Sequence, residues 1–108
     1  MLSLYQAEWC PHSHRVRQRL TELGLDFVAR QVPLDPGERT ELERATGRRS
    51  IPTIMFDDGS IVSGDDEIIA TLDRRFAEPP EAARHRAKAL EEWPEWLRLA
   101  GSGSESAT

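Results

Sequence analysis

The chain has 108 residues, of which 38% are hydrophobic and 31% charged, and its formal net charge is −5. This length suits one domain with a modest core, and the acidic balance disfavours nucleic acid and anionic membranes as partners. The sequence contains no long apolar run of the kind that forms a signal peptide or a membrane span. We therefore expect a cytoplasmic protein. We expect a single domain over residues 1–99 and a polar, disordered tail over residues 100–108.

The first third of the chain predicts a strand, a helix and a second strand. Residues 2–6 have an apolar bias, and Val16, Leu20 and Leu23 recur at the spacing of one helix face. Residues 26–32 alternate between polar and apolar side chains, as strands do. A strand–helix–strand unit of about 30 residues usually has parallel strands joined by a right-handed crossover. We therefore expect a parallel pair at this end of the sheet.

The middle of the chain predicts a short helix, a hairpin and a longer helix. Residues 38–46 are rich in helix formers. Residues 50–56 and 60–62 read as the two strands of an antiparallel hairpin around an Asp-Asp-Gly turn. An apolar stripe follows at helical spacing, and Asp65 or Asp66 can cap the start of that helix.

The last segment predicts one more helix with an apolar cluster. Residues 81–93 are rich in alanine and helical in composition, and we expect Pro94 to break or restart the helix. Trp93, Trp96 and Leu97 are too apolar to be left in water. We expect them to cover the domain, which makes the protein a monomer; the alternative is a contact between two copies of the chain.

The only cysteine, Cys10, is predicted to lie at the N-terminus of the first helix. Pro11 suits the first helical position, where a missing N–H costs nothing. Free backbone N–H groups and the positive end of the helix dipole favour thiolate over thiol, so Cys10 is a candidate nucleophile. His12 can add positive charge or a hydrogen bond, and Ser13 offers a hydroxyl one turn away. Alternatively, Cys10 is a small buried apolar residue and His12 is simply exposed.

Cys10, His12 and His14 lie close together in sequence and could suggest a metal site. A closed zinc site needs four ligands, however, and the chain has no other cysteine. We therefore expect no metal. A single cysteine also cannot form an internal disulfide, so a redox role requires an intermolecular one.

Three segments, 5–13, 47–52 and 61–66, carry a resemblance to a known family. Their sequences, spacing and order of elements resemble glutaredoxins, which have the thioredoxin fold, and also the N-terminal domain of glutathione transferases. The resemblance covers about residues 2–76. It implies an α/β domain with a thioredoxin-like fold, in which helices flank a four-stranded mixed sheet, and here an extra C-terminal helix follows.

The resemblance implies that glutathione binds beside the cysteine. Pro52 would be a cis-proline facing Cys10, and the backbone of Ile51 would pair with the peptide part of glutathione like an added strand. Arg48 or Arg49 would reach the glycine carboxylate. Taken alone, these two arginines are more often just solvated surface residues.

The resemblance also assigns the γ-glutamyl end of glutathione to Gly64, Asp65 and Asp66. Backbone amides at a helix N-terminus would take its carboxylate, and an aspartate would take its amine. The chemistry agrees, because a helix N-terminus is an anion site and a carboxylate suits an ammonium group. The simpler alternative is that the two aspartates only cap the helix.

The sequence departs from the glutaredoxin pattern at several positions. Val62 and Ser63 replace a usual Gly-Gly pair, somewhat as in transferase-like domains. Ala7 stands where a lysine usually precedes the cysteine, and Ser13 replaces the second cysteine. Pro11 follows Cys10, where monothiol glutaredoxins have glycine, so the pattern favours redox chemistry over cluster assembly.

The function implied by the resemblance is that of a monothiol oxidoreductase. Its Cys10 thiolate would resolve mixed disulfides with glutathione or a similar small thiol, acting on client proteins or small molecules. Two alternatives are a non-catalytic thioredoxin-fold binding module and a glutathione-dependent iron–sulfur cluster carrier. A third is a domain similar to the N-terminal domain of glutathione transferases.

Overall fold

The computed structural model describes the backbone of residues 1–106 and the side chains of residues 1–100. Within these residues the chain forms four strands and four helices. In chain order they are β1 (Leu2–Gln6), α1 (Pro11–Glu22), β2 (Phe27–Gln31), α2 (Thr40–Thr46), β3 (Thr53–Met55), β4 (Ile61–Ser63), α3 (Asp65–Arg75) and α4 (Ala82–Ser106). Among the described residues, no helix combines the length and apolar character needed to cross a membrane.

The four strands form one mixed sheet in the order β2-β1-β3-β4. β1 is parallel to β2 and antiparallel to β3, and β3 is antiparallel to β4. Tyr5 lies opposite Thr53, which in turn lies opposite Ser63. The end of β1, the start of β3 and the end of β4 therefore share one edge of the sheet. The predicted thioredoxin-like fold with an extra C-terminal helix is confirmed.

The core lies between β1 and β3 of this sheet and the helices α1 and α3. Its buried members are Leu2, Leu4, Val16, Leu20, Leu23, Ile54, Phe56, Ile68 and Leu72. Each fully buried side chain of this kind contributes about 1.5–3 kcal/mol. Because α1 and α3 each bury an apolar stripe here and contact one another, the start of each helix has a fixed position near the shared edge.

Two elements, β3 and α2, begin more than one residue away from the predicted positions. The strand expected over 50–56 is shorter, since β3 covers only Thr53–Met55. It begins after Pro52 because proline lacks the N–H that pairing with a neighbouring strand requires. The helix expected over 38–46 is α2 preceded by a separate 3₁₀ turn. Arg39 separates the two with a non-helical backbone (φ −82°, ψ 55°), and its buried guanidinium donates to backbone carbonyl oxygens of the neighbouring loops.

Helix α4 runs through Pro94, which corrects the prediction that this proline breaks or restarts the helix. Proline removes the hydrogen bond to the carbonyl oxygen of Leu90, but Leu90 is exposed and water can bind that oxygen. The surrounding alanine, leucine and glutamate residues are strong helix formers. The helix is described as far as Ser106, within the segment 100–108 expected to be disordered; residues 107 and 108 lie outside the described residues.

The tryptophans of α4 form a stack that touches α1. The rings of Trp93 and Trp96 are stacked with centroids 4.7 Å apart, and the ring of Trp93 lies 5.3 Å from that of His14. Trp93, Trp96 and Leu97 nevertheless remain about half exposed. The cluster therefore covers α1 only in part.

Candidate active site

Cys10 is the N-cap residue of α1. Its backbone is extended (φ −80°, ψ 118°), Pro11 is the first helical residue, and Cys10 Sγ accepts a hydrogen bond of 3.4 Å from the backbone N–H of Ser13. Cys10 is 5% exposed. The sulfur thus caps the positive end of the helix dipole, an environment that stabilises negative charge on it.

Ser13, whose backbone N–H donates to this sulfur, lies in the first turn of α1. The residue is fully buried, and its Oγ has no hydrogen-bond partner within the described part of the chain. Buried hydroxyl groups are normally paired, so this one requires a physical explanation.

His12 is hydrogen-bonded to α3 in this structure. Its Nδ1 donates to Asp65 Oδ2 at 3.0 Å, whereas the sequence suggested a role beside the sulfur of Cys10. Arg15 joins the same cluster, because its Nη1 donates to Asp65 Oδ2 at 2.7 Å and to Asp66 Oδ1 at 2.8 Å. The bond from His12 lowers the pKa of Asp65, and the bond from Arg15 adds to this effect, against the opposing effect of partial burial.

The two aspartates do not cap α3, which corrects that prediction. Gly64 is the N-cap residue, with φ 89°, a conformation that glycine adopts easily, and no side chain bonds to the start of the helix. Asp65 and Asp66 are the first helical residues, where their charge suits the helix dipole. Asp65 is largely covered, whereas the side chain of Asp66 is 86% exposed.

The loop before β3 is tied to the start of α3. The Ile51–Pro52 peptide bond is cis, and the carbonyl oxygen of Pro52 accepts a 2.9 Å hydrogen bond from Gly64 N–H. The backbone of Ile51 forms no hydrogen bond with another backbone group of residues 1–106. Thr53 Oγ1 donates to the Ser50 carbonyl oxygen at 2.8 Å and so holds the base of the loop.

The two neighbouring arginines of this loop have different environments. Arg49 is paired with Glu43 and donates to the carbonyl oxygens of Pro36 and Gly37, the second at 2.8 Å. Within the described residues, the exposed side chain of Arg48 makes no hydrogen bond or ion pair. Arg49 therefore stabilises the loop, whereas Arg48 has no such role in the described part of the chain.

The arrangement brings the three sequence segments to one place, next to the shared edge of the sheet. The family model for glutaredoxin matches residues 2–61. The chain belongs to the glutaredoxin family. Glutaredoxin 3 of Escherichia coli K12 is 33% identical to it over 74 residues, which are 68% of this chain and 87% of that protein.

This glutaredoxin-family chain spans just under half the length of two similar solved structures. Rice GST1 in complex with glutathione aligns with a TM-score of 0.63 and 28% identity, over 91% of this chain and 47% of that chain. A glutathione S-transferase domain-containing protein from Marinobacter aquaeolei aligns with a TM-score of 0.59 and 24% identity, over 82% of this chain and 48% of that chain. The second likeness shows the fold alone.

Sequence reasoning about this glutaredoxin-family chain missed Arg15. The spacing could have indicated this residue, because Arg15 follows His12 by three positions and so lies on the same face of the helix. The acidic partners could not be identified from that spacing, since they lie 50 and 51 residues away. No group of three or more His, Cys, Asp and Glu side chains in the described residues is arranged to hold a metal ion.

Proposed function

We propose that this chain is a monothiol, glutathione-dependent thiol–disulfide oxidoreductase. The Cys10 thiolate attacks the glutathione sulfur of a mixed disulfide between glutathione and a client thiol. A bond forms between the two sulfurs, the client sulfur leaves with the electron pair, and it takes a proton from water. The thiolate of a second glutathione then attacks the bound glutathione sulfur, which yields oxidised glutathione and restores the Cys10 thiolate.

The observation that carries this proposal is the hydrogen bond from Ser13 N–H to Cys10 Sγ at the start of α1. A sulfur held against a helix N-terminus is stabilised as the thiolate, which is the nucleophile in disulfide exchange. The cycle needs no second cysteine, in agreement with the one cysteine of the chain. We expect it to operate in the cytoplasm, where small thiols are kept reduced.

The free groups around Cys10 suit the three parts of glutathione. The unpaired backbone of Ile51 can add the peptide part as a short strand, and the unpaired Arg48 can bind the glycine carboxylate. The amides at the start of α3 suit the γ-glutamyl carboxylate. Asp66 suits the ammonium group better than Asp65, because Asp66 is exposed and holds one hydrogen bond, whereas Asp65 already accepts from His12 and Arg15.

The proposal is tested by incubation with oxidised glutathione at neutral pH, followed by mass spectrometry. One glutathione adduct is expected on the parent and none on Cys10→Ser; an unmodified parent would refute the mechanism.

Arg48→Gln should raise the KM for glutathione, while the matched variant Arg49→Gln should mainly lower stability. A brown, iron-containing dimer after anaerobic purification would support the cluster carrier instead.

We propose glutathione transfer to a carbon electrophile as the second candidate function. The alignment with rice GST1 covers 91% of this chain and so extends beyond residues 2–76. The half-exposed Trp93 beside His14 offers apolar surface next to α1. Conjugation of glutathione to 1-chloro-2,4-dinitrobenzene, followed by absorbance, distinguishes the two functions; no conjugation above the rate without protein would exclude the second.

A further inference from the structure

A cavity of about 700 Å³ lies between α2 and the strands β1 and β2, and its walls include Tyr5, Arg30 and Arg44. Tyr5 is the register partner of Arg30, so both face the same side of the sheet. Leu4 packs in the core against α1 and α3, and side chains alternate along a strand. This α2 cavity therefore lies on the opposite face of the sheet from that core. Its volume is typical of small-molecule sites, and none of the residues assigned to glutathione lines it.

Arginines without a carboxylate partner are concentrated in the walls of the α2 cavity. Arg30, Arg39 and Arg44 line it, and none of them pairs with a carboxylate among residues 1–100. Most of the other arginines do form such a pair. The exposed side chains of Arg30 and Arg44 also make no hydrogen bond within the same range. Their guanidinium groups can therefore accept a ligand without losing an existing contact.

Arg39 adds a buried positive charge to the same wall. The residue is 5% exposed, and its guanidinium donates to three backbone carbonyl oxygens at distances between 2.9 and 3.2 Å. Carbonyl oxygens satisfy the N–H groups but carry no net charge, so the positive charge is not cancelled. Charges in a partly enclosed cleft are screened less than charges in open water. The cavity therefore attracts anions, although the chain as a whole has a formal net charge of −5.

We propose that the α2 cavity is a second binding site, which takes an organic acid with one carboxylate and an apolar body. Glu38 and Glu41 also line the cavity, so two carboxylates oppose the three guanidinium groups and favour a ligand with a single negative charge. The other walls are largely apolar and suit the body of such a ligand. Arg30 and Arg44 donate to the ligand's carboxylate, because the two parallel N–H groups of a guanidinium match its two oxygens.

Two fluorescent probes that differ in charge test the inference. Dansylglycine joins a carboxylate to an apolar fluorophore, and dansylamide carries the same fluorophore without the charge. The parent should bind dansylglycine about tenfold more tightly than dansylamide in a fluorescence titration. Arg30→Gln and Arg44→Gln should each weaken dansylglycine binding about three- to tenfold without changing stability. Glu41→Gln should strengthen it, because a like charge is removed, and a general loss of structure cannot produce both changes.

Two controls separate this cavity from other places where a carboxylate could bind. Arg84→Gln removes a cation that is 80% exposed and pairs with Glu81, and it should bind dansylglycine like the parent. Excess glutathione should not displace the probe, because the two sites share no residue. Equal binding of the two probes, unchanged binding in both cavity arginine variants, displacement by glutathione, or no binding of dansylglycine at millimolar concentration would each overturn the inference.

Discussion

Glu22 holds α4 against α1, and the variant Glu22→Gln measures the strength of that connection. The carboxylate is 7% exposed and accepts hydrogen bonds from Arg19 at 2.8 Å, Gln18 at 3.1 Å and Arg86 at 3.1 Å. Burial by itself would raise the pKa of Glu22, but the three hydrogen bonds outweigh it and lower the pKa. The group is therefore an ionised acceptor at neutral pH.

Glutamine keeps the shape of Glu22 but removes the charge and turns one acceptor into a donor that faces guanidinium groups. Breaking a fully buried ion pair costs about 3–5 kcal/mol. Here Arg19 keeps Asp73 at 2.9 Å and Arg86 keeps Glu78 at 2.6 Å, so neither cation is left alone. We therefore expect a loss of about 2–3 kcal/mol in the free energy of unfolding.

The assay is urea unfolding at pH 7, followed by tryptophan fluorescence. With a urea slope of about 1–3 kcal/mol per molar for a small protein, the midpoint should fall by about 1 M. The matched control is Glu91→Gln, in which the lost carboxylate is 69% exposed and pairs with Lys88 at 3.4 Å. An exposed pair contributes about 0–1 kcal/mol, so this midpoint should barely move.

The pH dependence of the Glu22→Gln effect has a defined sign. The folded pKa of Glu22 lies below its ordinary value of 4.5, so its stabilisation is fully present above that value and is lost as the pH falls through the folded pKa. The difference between parent and variant should be complete at pH 7 and shrink below about pH 4. Equal midpoint shifts in Glu22→Gln and Glu91→Gln, or a difference that grows in acid, would refute the assignment.

Three further predictions concern the active-site face and α4. Arg15→Gln should raise the KM for glutathione roughly two- to tenfold with kcat nearly unchanged. The reason is that Asp65 and Asp66 lose their counter-ion next to the position proposed for a carboxylate of glutathione. An unchanged KM in steady-state kinetics would contradict this. His12→Ala should shift the pH of half-maximal alkylation of Cys10 by less than about half a unit, since the amides of α1 remain; a shift of about one unit or more would mean that the imidazole dominates. Trp96→Ala should sediment as a monomer, like the parent. Its free energy of unfolding should fall by about 1 kcal/mol, because the stack on Trp93 is removed. A parent dimer that dissociates in the variant would contradict this.

The parts of the fold that follow from local patterns were predictable. β1 has the predicted bounds, and α1 buries Val16 and Leu20, which the helical spacing had placed on one face. Cys10 at the start of α1 follows from the same pattern together with Pro11, because both depend only on residues close in sequence. Backbone conformation and one-sided burial are properties of a short window, so a short window suffices to predict them.

Contacts between distant residues were not predictable in the same way. Arg15 meets Asp65 across 50 residues, and Glu22 meets Arg86 across 64 residues. Charged side chains have many potential partners of opposite sign along the chain, and sequence spacing selects among them only within one helix. The packing of α1 on α3 and α4 selects the actual pairs, because it determines which faces of these helices meet.

The choice between Arg48 and Arg49 shows why a site can be predicted more easily than the role of each residue in it. Both arginines precede β3 and both have the chemistry to bind a carboxylate. The buried Arg39 donates to the carbonyl oxygen of Arg49 at 3.0 Å and so fixes the backbone of the loop. In that conformation Arg49 pairs with Glu43, whereas the Arg48 side chain has no hydrogen bond or ion pair among residues 1–100. The difference between the two arginines thus depends on a buried cation elsewhere in the loop region, Arg39, which neither the family motif nor the local sequence identifies.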